Sequence, residues 1–383
     1  MLRILHFADL HLDRAFGSLA AGGRSGPQPR QALRTCLEGL INLALEREVD
    51  AITIGGDLFE HDRATTATAA FLKQQFARLG NVPVFIAPGN HDPLVSGSLY
   101  RQIEWPGNVK VAEGTKLQRF DLDGSTVLWT AAFTAPVCRD CPLSGFHLPQ
   151  DGRRHLLLLH ADLGQTESDY CPLPPSLLQE AGFQAALLGH LHDGRLSRPE
   201  LSAWYPGSPS PLDFSEEQGE HRALLLELSE GSLQPERLDV ATLRFSTLRV
   251  DVSGLETLEQ VRDRVLEQAG DPKAVLRVVL EGERHPDLDL DISGLISALT
   301  ENADRCLMDI ADETSEPYDF EVEAQGKTAR ARFVRRMQQE IGEAASEEEK
   351  DMLKEALLLG LLALDGRPLR PSFWRKQDAA EQA

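Results

Sequence analysis

Val84-Phe-Ile-Ala-Pro-Gly-Asn90-His91-Asp92 decides how this chain is read. A short apolar run stops at Pro88-Gly89 and presents three polar side chains just beyond its end. Four other stretches share the design: Ile4-Leu-His-Phe-Ala-Asp9-Leu-His11, Ala51-Ile-Thr-Ile-Gly-Gly-Asp57, Leu156-Leu-Leu-Leu-His160 and Ala185-Ala-Leu-Leu-Gly-His190-Leu-His192. A short apolar run bounded by Gly or Pro fits a strand buried on both faces. In open α/β sheets, ligands sit at the carboxyl ends of strands. Five stretches can therefore deliver Asp, Asn and His to one place. Oxygen and imidazole nitrogen donors without thiolate suit hard and borderline metal ions.

Taken singly, a His at a strand end is most simply a hydrogen-bonded core or surface residue. The joint pattern is different, because five of the eleven histidines fall at such ends beside Asp9, Asp57 and Asn90. Two metal ions can clamp the attacking and leaving oxygens of a phosphoryl displacement. Such a pair needs a bridging carboxylate. Asp57 is the candidate, since Gly55 and Gly56 allow a close approach of the backbone. Side chains alternate along an extended segment, so Asp-x-His turns Asp9 and His11 to one side, and His-x-His does the same for His190 and His192. Asn90 can coordinate through its carbonyl oxygen. His91 need not coordinate and suits the acid that protonates a leaving oxygen.

The length, 383 residues, predicts two domains with a tail. Both parts are acidic: residues 1–240 carry 20 Lys/Arg against 30 Asp/Glu and residues 241–383 carry 19 against 30, for a net charge of −21. That speaks against a free-standing, high-affinity nucleic-acid binder, whose footprint should be basic. A nucleic-acid enzyme that takes its positive charge from bound cations and a partner stays open. From Arg14 to Leu37 there are four arginines (Arg14, Arg24, Arg30, Arg34) and no acid. This window is either a solvated loop leading into a helix or a phosphate-backbone contact beside the metal site. No signal peptide and no membrane span is read. Five cysteines at scattered spacing make no disulfide framework, and the expectation is a cytoplasmic protein. Cys138-Arg-Asp-Cys141 reads either as a metal or redox pair or as a loop with two ordinary thiols.

Along the chain, Gln31–Arg47 and Thr65–Leu79 have helical spacing between the first three strands. That rhythm predicts a mostly parallel sheet covered on both faces. Val109–Thr134 reads as a meander of short strands, and the regions around Trp204 and from Arg222 read as closing antiparallel strands. The composition shifts near Asp239–Thr242. Strands at Phe245–Val252, Ala274–Leu280 and Cys306–Ile310 and helices at Leu255–Gln268 and Leu290–Leu299 predict a small α/β unit. Gly326–Ile341 reads as helical, and Ser346-Glu-Glu-Glu349 as a capping box that opens a helix through Leu364. The domain division is 1–240, 241–315 and 316–383.

Asp9-x-His11, Gly55-Gly-Asp57, Gly89-Asn-His-Asp92, His160 and Gly189-His-x-His192 resemble, in order, the motifs of calcineurin-like metallophosphoesterases. Ala8-Asp-Leu-His-Leu-Asp13, Gly55-Gly-Asp-Leu-Phe59 and Tyr205-Pro-Gly-Ser-Pro-Ser-Pro-Leu-Asp-Phe-Ser-Glu216 narrow the likeness to SbcD-type DNA-repair nucleases and their YhaO-like bacterial relatives. The resemblance covers residues 1–235 and extends to the rest only by layout. It implies a βαββα-sandwich core, a small α/β capping domain and a C-terminal helical segment. It also implies two Mn²⁺ ions, one held by Asp9, His11, Asp57 and His192, the other by Asp57, Asn90, His160 and His190, with His91 as the acid. The implied partners are DNA and an SMC-like ABC-type ATPase (SbcC- or YhaN-like), and a homodimer stays open. The helix opened by Ser346 either docks on that ATPase or packs on the protein's own second domain. Nucleases of the family carry a His three residues after the bridging Asp, where this chain has Glu60 followed by His61. The expected function is a Mn²⁺-dependent DNA nuclease of a double-strand-break repair complex. The rivals are a small-molecule phosphodiesterase or phosphatase and a DNA-end-binding scaffold with a vestigial metal site.

Overall fold

The computed structural model describes residues 2–366 except 17–28, 229–234, 272–273, 286, 301–305 and 316–317. The first part runs β1 (Leu2–Phe7), α1 (Pro29–Glu46), β2 (Ala51–Ile54), α2 (Thr66–Ala77), β3 (Val84–Ile86), α3 (Leu99–Gln102) and β4 (Val109–Val111). It continues with β5 (Gln118–Asp121), β6 (Thr126–Thr130), β7 (Arg154–His160), β8 (Asp162–Leu163), β9 (Pro172–Leu173), α4 (Pro175–Ala181) and β10 (Ala185–Gly189). Then come β11 (Ala203–Trp204), β12 (Ala223–Leu228), β13 (Glu236–Leu238), β14 (Arg244–Asp251), α5 (Leu258–Gln268), β15 (Ala274–Glu281), α6 (Ile292–Thr300) and β16 (Cys306–Asp312). Three helices end the described chain: α7 (Phe320–Glu323), α8 (Ala329–Glu343) and α9 (Glu347–Leu364).

The apolar runs pack as a sandwich of two sheets. One has the order β13-β12-β1-β2-β3-β4, the other β11-β10-β7-β6-β5. Between them lie Ile4, Ala51, Phe85, Leu224 and Leu226 from the first sheet and Leu128, Leu156, Leu158 and Leu187 from the second. Leucines that face neither solvent nor polar groups contribute about 1.5–3 kcal/mol each. Phe7, Ile52, Ile54 and Ile86 pack on the other side of the first sheet with Leu37 and Leu40 of α1 and Leu72 and Phe76 of α2. Leu157, Leu159, Ala186 and Leu188 pack outward with Leu178 of α4. The central strands β2, β3, β7 and β10 are buried at nearly every position because both faces of each sheet are covered. This is the mixed α/β architecture of a βαββα sandwich.

The five polar-ended strands are divided between the two sheets: β1, β2 and β3 are parallel neighbours in the first, and β7 and β10 in the second. Two local expectations change. Val109–Thr134 is not a meander. β4 extends the first sheet parallel to β3, whereas β5 and β6 form an antiparallel pair in the second. Alternation alone does not say which sheet an isolated short strand joins. Trp204 lies in a strand parallel to β10, not antiparallel, while β12 closes the first sheet antiparallel to β1 as expected.

Contacts divide the chain into two compact units. The first holds 1–250, 261–280 and 290–312, and therefore both sheets of the sandwich. Within it, Leu243, Phe245 and Val275 pack on Ala32 of α1, and the Arg277 guanidinium lies 4.1 Å above the Phe214 ring. The order β14-β15-β16 forms a small third sheet. The second unit holds 251–260, 281–289 and 313–383. Its helices pack through Val334 and Met337 of α8 against Leu357 and Leu361 of α9. Ser346 caps α9 by accepting the Glu349 N–H, and Met352 and Leu364 are exposed on it.

Candidate metal centre

Strands β1, β2, β3, β7 and β10 all end at the same edge of the sandwich, and the polar residues follow directly. The backbone there is not extended. Asp9, His11, Asp57 and His190 have φ of 57°, 49°, 50° and 105°. Non-glycine residues in such conformations cost about 1–3 kcal/mol each and persist where surrounding bonds over-determine them. Here His11 N–H donates to Asp57 O (2.9 Å), Asp9 N–H donates to Gly56 O (3.0 Å), and the Asp9 carboxylate accepts the His190 N–H (3.0 Å). The Asp9–His11 pair thus meets the site by left-handed turns rather than by strand alternation. Gly89 is required at its place, because a Cβ there would strike Asp57 Oδ1 and the His160 ring.

Asp57 sits in the middle. Its Oδ1 accepts the His91 N–H (2.8 Å), and its Oδ2 lies 3.7 Å from His11 Nε2 and 3.5 Å from His160 Nε2. Three close groupings of ligand atoms result among the described residues: Asp9 with His11 and His192, Asp9 with Asp57 and His160, and His11 with Asp57 and His91. Asn90 Oδ1 is 2.8 Å from His160 Nε2. His190 is outside these groupings, with its ring against His160 and Tyr170 at 5.1 and 4.8 Å. His91, expected only as an acid, falls in one of these groupings, with a ring nitrogen within 4.8 Å of the His11 and Asp57 ligand atoms.

The donor set fits cations on a specific observation. His11 Nδ1 donates to Glu60 (2.9 Å) and His192 Nδ1 donates to Glu216 (2.8 Å). Each ring therefore turns the lone pair of Nε2 inward, and the two Nε2 atoms face each other at 3.2 Å. Two ligand atoms about 2.1 Å from one ion lie roughly 3.0–3.4 Å apart. Only a shared cation, a proton or a metal ion, satisfies both. Asp9 and Asp57 are buried, and among the described residues the groups that pair with them are imidazoles, not Lys or Arg.

The electrostatics follow from that arrangement. Burial raises the Asp9 carboxyl above its ordinary value, with His192 and His160 opposing it. Burial acts the same way on Asp57, but His160, His11 and His91 outweigh it and hold it low. Burial disfavours charge on His192, yet Glu216 and Asp9 push it up to about 9. Burial, with His160 beside it, takes His190 down to about 3. The Glu60 hydrogen bond raises His91 against partial burial.

Four residues around the site have no role that the sequence alone reveals. Glu60 stands out in the sequence only as a departure from the family pattern; in the fold it bridges His11 Nδ1 and His91 Nδ1 (2.9 and 3.0 Å). Glu216 also accepts from Ser208 Oγ and Leu212 N–H, which fix its carboxylate against His192. Outer carboxylates that hold a ligand imidazole typically contribute 10–100-fold to metal affinity. Glu216→Gln is therefore expected to weaken metal binding about 10–100-fold, read by metal titration calorimetry, with the melting temperature of the metal-free protein little changed. Asp92 is buried and accepts N–H groups of Asp57, Leu58 and Gly89 and the hydroxyl of Tyr100 at 2.6–3.1 Å. It locks the β2 and β3 loops together. Tyr100→Phe removes a hydrogen bond to a buried carboxylate and is expected to lower unfolding free energy by about 1.5–3 kcal/mol in urea.

The arginine window is less free than the sequence suggests. Arg14 pairs with Asp213 (3.1 Å), and Arg34 reaches Asp13 (3.4 Å) and lies over the Phe71 ring. Arg30 donates to the carbonyl of Arg14. Arg24 lies outside the described residues.

Comparison with known proteins bears on the same residues. The calcineurin-like phosphoesterase family matches residues 2–194, which hold both polar-ended strand sets and every ligand candidate. This chain belongs to that family. It is a metal-dependent hydrolase of phosphoester bonds, in a family that works with two metal ions. It is 27% identical over 301 residues to the uncharacterized metallophosphoesterase YhaO of Bacillus subtilis, covering 73% of this chain and 72% of that one. It is 26% identical over 360 residues to the DNA double-strand break repair protein Mre11 of Methanopyrus kandleri, covering 84% and 75%. It is 26% identical over 349 residues to one of the subunits of the nuclease SbcCD of Escherichia coli K12, covering 79% and 82%. Among the described residues, no helix of this phosphoesterase is long and apolar enough to cross a membrane.

Proposed function

We propose that this phosphoesterase is a Mn²⁺-dependent DNA nuclease, the exonuclease subunit of a cytoplasmic double-strand-break repair complex. The observation that carries the reading is the inward-facing Nε2 pair of His11 and His192 beside buried Asp57, in a chain similar to an Mre11 and to a component of the SbcCD nuclease. Residues 1–240 form the nuclease domain, 241–315 the capping domain and 316–383 the segment that docks an SMC-like ATPase; exposed Met352 and Leu364 on α9 suit that docking.

Asp9, His11, Asp57 and His192 would hold one Mn²⁺, and Asp57, Asn90, His160 and His190 the other. When bound, the cations supply Lewis-acid stabilisation of charge on the phosphoryl oxygens. His91 donates its proton to the departing oxygen. Glu60 accepts from His91 Nδ1, which leaves Nε2–H as the donating atom and favours the protonated ring. Glu216 and Glu60 fix the tautomers of His192 and His11, so that both present Nε2. Arg14, Arg24, Arg30 and Arg34 track the DNA backbone.

The test is hydrolysis of end-labelled linear, hairpin and single-stranded DNA with Mn²⁺, beside a small phosphodiester. The expected result is DNA cleavage abolished by chelation. Cleavage of the small ester alone would make the protein a small-molecule phosphodiesterase. Binding of DNA without cleavage of either would make it an end-binding scaffold. Changing all four arginines to Ala should lower the salt slope of DNA binding by about one unit for each arginine that contacts phosphate.

A further inference from the structure

The Glu216 carboxylate that holds His192 Nδ1 sits in a short 3-10 turn, Phe214–Glu216. The Asp213 carboxylate opens the turn by accepting the Ser215 N–H at 2.9 Å, and the Glu217 N–H closes it on the Phe214 carbonyl at 3.4 Å. Side chains three apart in such a turn eclipse one another. Phe214 and Glu217 therefore share one side of the turn, and Glu216 leaves it in another direction. On the shared side the third sheet grips the turn. The Phe214 ring meets the Phe245 ring of β14 edge to face, with centroids 4.9 Å apart, and the Arg277 guanidinium of β15 lies 4.1 Å above it. The Glu217 carboxylate accepts the Thr247 N–H of β14 at 2.9 Å. In its own direction Glu216 accepts from His192 Nδ1, Ser208 Oγ and the Leu212 N–H.

We propose that Phe214 is a positioning residue for the metal centre, through which the third sheet sets the Glu216 carboxylate and with it the His192 ring.

The inference rests on the reading of His192 as a metal ligand. A carboxylate holds an imidazole at one tautomer and one angle only if its own backbone is fixed. This turn is too short to fix itself. Its internal bonds, Glu216 N–H to Asp213 O and Glu217 N–H to Phe214 O, are 3.3 and 3.4 Å long, beyond the ordinary range for such bonds. The stiffness comes from outside. An edge-to-face aromatic pair and a cation over a ring each attract beyond the apolar area they bury. Both act on the one Phe214 ring, from β14 and β15, which are neighbours in one sheet. The Glu217 carboxylate adds a hydrogen bond to the same sheet on the other flank of Glu216. Leu243, just before β14, donates its N–H to Ser210 Oγ at 3.0 Å and so ties down the start of the same loop, two residues from Ser208. The third sheet contributes none of the candidate ligands, yet it lies two residues of chain from a carboxylate that orients one. Displacing Phe214 would move Glu216 and leave Asp9, His11 and Asp57 where they are.

The experiment titrates metal-free full-length protein with Mn²⁺, reads the free ion by electron paramagnetic resonance, and melts the same metal-free samples. Phe214→Ala is expected to weaken one of the two binding steps about tenfold and to leave the other, with the melting temperature little changed. Phe214→Tyr, which keeps the ring, should restore wild-type binding. Arg277→Ala, which removes only the cation, should weaken the same step about two- to fivefold. Glu216→Gln is the reference and should weaken that step at least as much as Phe214→Ala. A loss in Glu216→Gln with wild-type binding in Phe214→Ala and Arg277→Ala would overturn the proposal and leave His192 a ligand. Wild-type binding in Glu216→Gln would overturn both the ligand reading and the proposal. Equal weakening of both steps with a lowered melting temperature in Phe214→Ala would mean general loosening and would also overturn it. If Phe214→Ala does not fold, Arg277→Ala set against Glu216→Gln decides.

Discussion

Asp57→Ala protein is expected to lose both divalent ions and to hydrolyse phosphodiesters about 10³-fold more slowly, or worse. Asp57 Oδ2 lies 3.7 Å from His11 Nε2 and 3.5 Å from His160 Nε2, so its loss would take from both proposed ligand sets the carboxylate they have in common. Charge stabilisation by catalytic metal is worth several kcal/mol, and about 4 kcal/mol corresponds to about 10³-fold. The measurement is metal content by plasma mass spectrometry after gel filtration, with turnover on the same sample. The Asp57 carboxylate also accepts the His91 N–H, so the melting temperature of the metal-free variant is needed to separate a lost ligand from a lost fold. A folded variant that kept two ions would remove Asp57 from the bridging position.

His91→Ala is expected to keep its metal and lose about 10²–10⁴-fold in turnover, the usual contribution of a general acid. His91 competes for two roles in the structure. Its ring lies close enough to His11 and Asp57 to be a ligand, and its Nδ1 is held by Glu60 as an acid's would be. Metal content distinguishes them, because a ligand's loss lowers occupancy and an acid's loss does not. The pH profile adds a second reading. Glu60 raises His91, so the protonated acid persists to higher pH than for a free imidazole. In Glu60→Gln that support is gone, His91 deprotonates at lower pH, and the alkaline limb of turnover should move to lower pH. An unmoved limb would separate His91 from the proton transfer.

The sandwich and the positions of the polar residues are legible in the sequence because both are written locally. Five apolar runs end in Asp, Asn or His, and all five are strands whose C-terminal ends share one edge. The distribution of those strands over two sheets is not legible from the runs, since a strand buried on both faces looks the same in either sheet. β4 and β11 escape the sequence for a related reason: strands of three and two residues carry no pattern that chooses a partner. The left-handed turns at Asp9, His11 and His190 replace the alternation that the Asp-x-His and His-x-His spacing suggests. Nothing in those side chains demands positive φ; long-range bonds to Asp57 O and Asp9 impose it at His11 and His190. Glu60 and Glu216 are invisible as supports because they lie 49 and 24 residues from the imidazoles they hold.

Five strand ends from two sheets would build one two-metal centre around Asp57. Anomalous diffraction from Mn²⁺-soaked crystals, collected at the manganese edge, should show two peaks about 3.5–4 Å apart, one between His11 and His192 and one beside His160, both against the Asp57 carboxylate. A single peak, or peaks that do not share Asp57, would rule out that centre.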